Sequence, residues 1–105
     1  GIYILNPDPW PKKRHWKRRI VNPDHVRKFV RVLKPRGKLI MTTDVSDLAD
    51  WMVTHAANNP GLHWLAEKPE DWQTPSPGWL PTKYEKKGAE KGRKQVYLVF
   101  EKKAI

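Results

Sequence analysis

Three prolines at alternate positions, in the stretch Asn6-Pro7-Asp8-Pro9-Trp10-Pro11, decide where the first element of this chain must stop. The run before them, Ile2-Tyr3-Ile4-Leu5, is short, apolar and partly β-branched, and reads as a strand buried on both faces, as in a parallel sheet. Proline has no amide to give a neighbouring strand, so the run ends at Asn-Pro. The prolines on either side of Asp8 also restrict the backbone around it, which presents a carboxylate on a stiff turn at a strand's carboxyl end. Six positive charges in eight residues follow directly, Lys12 to Arg19, with His15 and Trp16 interleaved.

The rest of the chain alternates helix and strand signals. Asn22-Pro23-Asp24 is a helix start, with Asn at the cap, Pro at the first helical position and an acid in the first turn. Val26, Phe29, Val30 and Leu33 then recur at helical spacing, turning one apolar stripe inward and leaving Arg27, Lys28, Arg31 and Lys34 in solvent. Lys34-Pro35-Arg36-Gly37 ends that helix, and Leu39 to Thr43 reads as a second strand stopping at Asp44. A second helix spans Ser46 to Ala57, with Leu48, Trp51, Met52 and His55 on one side, and Asn58-Asn59-Pro60-Gly61 terminates it. A short strand is expected around His63-Trp64-Leu65, a lid or binding loop from Pro69 to Pro81, and a last strand from Val96 to Phe100.

This order is an α/β pattern: parallel strands with helices between them, closed by an antiparallel hairpin at the sheet edge. Ligands of such sheets sit at the carboxyl ends of the strands, where both Asp8 and Asp44 fall. Asp44 has a second reading as the N-cap of the helix that follows it.

Charge narrows the partner. Residues 12 to 38 hold twelve Lys/Arg and one acid, Asp24; residues 44 to 71 hold six acids and only Lys68; residues 82 to 103 hold eight Lys/Arg against three acids. Two basic blocks that can meet in space suit a polyanion, since each phosphate neutralised releases condensed counterion. A merely solvated surface is the plainer alternative, and a membrane surface a weaker one, because no long amphipathic helix pairs these charges with a lipid-inserting face. The chain has no Cys, and its four His lack metal-ligand spacing, so no metal site is expected. No apolar stretch is long enough to span a bilayer, and no signal-peptide pattern opens the chain, which makes the cytoplasm the default location.

Three stretches carry a resemblance: Asn-Pro-Asp-Pro-Trp-Pro-Lys-Lys-Arg-His-Trp-Lys-Arg-Arg, the Thr43-Asp44 pair after the next strand, and Thr82-Lys83-Tyr84-Glu85 before the last. Together they resemble the C-terminal half of the bacterial tRNA (guanine-N7-)-methyltransferases, class I enzymes with a Rossmann-like sheet that use S-adenosylmethionine. The resemblance implies that Asp8 touches the cofactor and acts in the reaction. It implies that Lys12, Asp44, Thr82, Lys83, Tyr84 and Glu85 bind substrate, and that Arg14, His15, Trp16, Lys17, Arg18 and Arg19 form an RNA-contacting loop. The implied partner is tRNA, methylated at N7 of a guanine in its variable loop, by a monomer or homodimer. Asn6 and Tyr84 stand where the family often has Phe, and neither change removes a charge the chemistry needs.

Residues 1 to 105 are accordingly expected to be the C-terminal, substrate-binding part of one methyltransferase domain. The chain starts without Met, inside a strand, and contains no Gly-x-Gly turn of the kind that holds S-adenosylmethionine. By itself such a piece should be inactive. The rival reading is a basic RNA-binding module, or truncated remnant, without catalysis. The Trp residues beyond Trp16 read as core or loop packing.

Overall fold

The computed structural model describes residues 1–74 and 94–104. Four strands form one sheet: β1 (Ile2–Leu5), β2 (Lys38–Thr43), β3 (Leu62–Trp64) and β4 (Val96–Lys102), in the spatial order β1-β2-β4-β3. β1 and β2 run parallel, with Ile4 opposite Met41 and Leu5 opposite Thr42. β4 inserts antiparallel between β2 and β3, so β3 shares the direction of β2 without bonding to it. The expected parallel pair and the expected antiparallel closing pair are both present, and the sheet is an α/β sheet with antiparallel pairings in the majority.

Helices α1 (Pro23–Val32) and α2 (Ser46–Ala57) form where the periodicity placed them. Asn22 caps α1, its Oδ1 accepting from the His25 amide at 2.9 Å. Val26 and Leu33 from the α1 stripe, and Leu48, Met52 and Ala56 from α2, meet Ile4, Leu39, Met41, Leu98, Phe100 and Leu62 in one core. Cross-strand rows explain this: Ile4, Met41 and Leu98 lie side by side on the helix-facing side, as do Leu39 and Phe100.

Two expectations need correction. β1 is not buried on both faces: Ile4 is 7% exposed, whereas Tyr3 is 62% and Leu5 41% exposed. Side chains alternate along a strand, and only the side carrying Ile4 lies under the core. The stretch expected as one loop from Pro69 opens instead with a helical turn, α3 (Glu70–Gln73). There the Asp71 carboxylate accepts from the amides of Glu67 and Lys68, and Trp72 packs on the core. The remainder of that loop, from residue 75, lies outside the described residues, as do Thr82, Lys83, Tyr84 and Glu85.

Candidate functional site: an aspartate arch beside a basic turn

Beyond the carboxyl end of β1 the chain turns through an arch from Asn6 to Trp10, with the exposed Asp8 as its middle residue. Both feet are left-handed: Asn6 has φ 48° and Trp10 φ 41°. Asn tolerates such a backbone, but in a bulky residue like Trp10 it costs on the order of 1–3 kcal/mol, so the second foot in particular needs something to hold it. At the first foot, the Asn6 amide donates to the Thr42 carbonyl at 2.9 Å and its Oδ1 accepts from Gln95 Nε2 at 2.7 Å. Gln95 immediately precedes β4, whose antiparallel direction brings its amino end to the carboxyl ends of β1 and β2.

The second foot is held from below. Arg19 donates through Nε to the Pro9 carbonyl at 2.9 Å and through Nη2 to the Trp10 carbonyl at 3.4 Å. Its guanidinium lies over two indole rings, 5.2 Å from the Trp16 centroid and 4.8 Å from that of Trp51. Trp51 in turn donates its indole N–H to the Val21 carbonyl at 2.7 Å, tying the stack to α2. Arg19 is only 4% exposed. Burial lowers its pKa, and the nearby Asp47 carboxylate opposes that shift.

Between the arch and α1, Lys13–Arg18 winds as a 3-10 helix, opened by the His15 amide donating to the Lys12 carbonyl. This geometry divides the basic run. Lys12, Lys13, Arg14, Lys17 and Arg18 are exposed, His15 and Trp16 are half-buried, and Arg19 is turned inward. Arg18 sits over the Trp10 ring at 5.2 Å, His15 meets that ring edge-on, and the Trp16 indole N–H donates to the Pro11 carbonyl at 3.3 Å. Five cations therefore face solvent beside Asp8, while the sixth braces the arch.

Asp8 itself is exposed, and Asp44 is half-buried at the end of the adjacent strand. The N-cap position of α2 is Val45, whose amide donates to Thr43 Oγ1 at 3.1 Å, which puts Asp44 one residue before the cap. Alongside the Arg19 stack runs an open groove of about 520 Å³ lined by Trp16, Arg19, Asp47, Asp50, Trp51 and His55. Burial lowers the pKa of His55, whose ring meets Trp51 edge-on at 4.3 Å. Among the described residues no group of three or more His, Asp or Glu side chains could hold a metal ion, and no helix is long and apolar enough to cross a membrane.

Sequence reasoning passed over Gln95, Trp51 and Asp47. The 89-residue separation of Gln95 from Asn6 leaves no local signal, and only the register of β4 joins them. Trp51 was legible as a helix-face residue, not as one half of a cation clamp.

Comparison with known proteins follows the same stretch of chain. The family model described as "Putative methyltransferase" matches residues 1–98. The chain is 44% identical over 99 residues to a tRNA (guanine-N(7)-)-methyltransferase of Agrobacterium fabrum, covering 94% of this chain and 43% of that protein. It is 43% identical over 103 residues to one of Bartonella henselae (98% and 44%) and 42% identical over 103 residues to one of Nitrobacter hamburgensis (98% and 40%). The chain thus spans less than half the length of the curated relatives it matches.

Proposed function

Since the chain belongs to this methyltransferase family, we propose that it is the substrate-facing part of an S-adenosylmethionine-dependent tRNA (guanine-N7-)-methyltransferase acting in the cytoplasm. The observation that carries the reading is the pairing of one exposed carboxylate, Asp8 on a braced arch, with five exposed cations on the turn that follows it. A carboxylate suits a reaction in which the substrate base gains positive charge. The cations suit the phosphates that bring the base there.

When bound, S-adenosylmethionine supplies a methyl group on a sulfonium centre. The donor set of this chain fits that cofactor at one point, the Asp8 carboxylate at the carboxyl end of β1; no Gly-x-Gly turn occurs among its residues to cradle the remainder. Guanine N7 already has an in-plane lone pair, so this chain need hold no general base. It orients the base: Asp8 accepts from the guanine edge and balances the charge that develops there, and Asp44 forms the neighbouring wall. Lys12 contacts the substrate next to the arch, and Thr82, Lys83, Tyr84 and Glu85 complete the substrate contacts in this proposal. Arg14, Lys17 and Arg18 engage phosphates, with His15 and Trp16 packing the turn that carries them.

The test is transfer of labelled methyl from S-adenosylmethionine to tRNA by the full-length protein, compared with Asp8→Ala. Methylation at guanine N7 that disappears in the variant supports the reading. RNA binding without any methyl transfer would leave the non-catalytic module instead.

A further inference from the structure

We propose that Arg19 and Gln95 are positioning residues, which pin the two left-handed feet of the Asn6–Trp10 arch and thereby set the direction of the Asp8 carboxylate. The inference rests on the role given to Asp8 above. It removes Arg19 from the RNA-contacting set and adds Gln95, which lies outside every motif used so far.

The arch explains why two pins are needed. Pro7 and Pro9 stiffen the segment between the feet but donate no hydrogen bonds, so they cannot anchor it to the sheet. Trp10 must adopt a backbone conformation that its bulky side chain disfavours, whereas Asn6 is one of the few residues that tolerates it. Left to itself the Trp10 foot would relax to negative φ and carry the Asp8 backbone with it. At the first foot the Thr42 carbonyl holds the Asn6 amide, and Gln95 adds a hold on the side chain by donating to Asn6 Oδ1 at 2.7 Å. Arg19 fixes the second with one planar guanidinium that serves the Pro9 and Trp10 carbonyls together. Its charge lies beside the Trp16–Trp51 pair, whose ring centroids are 5.6 Å apart, and is 4% exposed, with the guanidinium engaged by the two carbonyls. A lysine there could reach one carbonyl but would lack the fork for both.

The experiment compares Arg19→Met, Arg19→Lys and Gln95→Leu in the full-length protein. It measures the single-turnover methyl-transfer rate at saturating tRNA, the tRNA Kd, and the backbone amide resonances of Asp8 and Trp10. Expected are rates at least tenfold lower in Arg19→Met and Gln95→Leu, a partial recovery in Arg19→Lys, Kd values within twofold of wild type, and displaced Asp8 and Trp10 resonances. A weakened Kd with an unchanged rate in Arg19→Met would overturn the proposal and make Arg19 a phosphate contact. Unchanged rates in Gln95→Leu would overturn the first pin, and this variant remains informative if Arg19→Met fails to fold. If the wild-type protein transfers no methyl group, the reading of its function fails, and the resonances alone decide: unshifted Asp8 and Trp10 amides in both variants would overturn the clamp.

Discussion

Arg18 and Arg19 are neighbours with the same charge, yet one faces solvent and the other is buried. Arg18 ends an exposed row of cations and rests on the Trp10 ring with its charge toward solvent. Arg19 is buried, bonded to two backbone carbonyls and packed against two indoles. The outward side of the turn leaves its charge in solvent; the inward charge is bonded to the backbone of the arch. A run of cations is therefore not one functional unit, because the 3-10 helix ends at Arg18, and Arg19, its extended C-cap, is buried.

The largest effect that can break this division is at the arch itself. Asp8→Ala should lower turnover by roughly 10²- to 10³-fold, the scale of losing one electrostatic contact to developing charge, while tRNA affinity stays within about twofold. An equally large loss of affinity would mean that Asp8 organises RNA binding and not the reaction. Next comes the stability of the inward side: Arg19→Met leaves the Pro9 carbonyl without its donor and should cost about 1–3 kcal/mol, measured by denaturant unfolding. Arg18→Met, on the outward side, should cost no more than about 0.5 kcal/mol in the same experiment.

Smaller changes sharpen the comparison. Asn22→Ala removes the α1 cap and the donor to the Arg19 carbonyl, and should cost about 1 kcal/mol without altering tRNA affinity. His55 lies against the inward stack with its pKa lowered by burial. The unfolded chain then binds the proton more readily, so this group leaves stability untouched above pH 6.5 and lowers it as the pH falls from 6.5 toward the folded value. Thermal unfolding between about pH 7 and 5 should show a shallower loss in His55→Gln than in wild type; parallel profiles would remove His55 from the acid response.

What could be read from the residues follows the same division. α1 and α2 were legible because their apolar positions repeat at the period of a helix and because Asn22-Pro23 announces a helix start chemically, and β2 because it is a continuous apolar run. β1 was legible as a strand, but its composition could not say that Tyr3 and Leu5 face away from the helices, since that depends on what lies over each face. At the site, Asp8 and the basic turn stood out by residue type. The inward turn of Arg19 depends on Trp51, thirty-two positions on, and the hold on Asn6 depends on a strand at the other end of the chain. Asp44 looked like a cap because it precedes a helix, and one residue of offset gave that position to Val45.

The most direct test is the salt dependence of tRNA binding, titrated side by side for wild type, Arg18→Met and Arg19→Met in the full-length protein. A cation on a phosphate contributes close to one unit to the log–log slope. Arg18→Met should flatten the slope by about one, and Arg19→Met should leave it unchanged. Equal flattening in both variants would contradict the division of the turn into an outward face for RNA and an inward brace for Asp8.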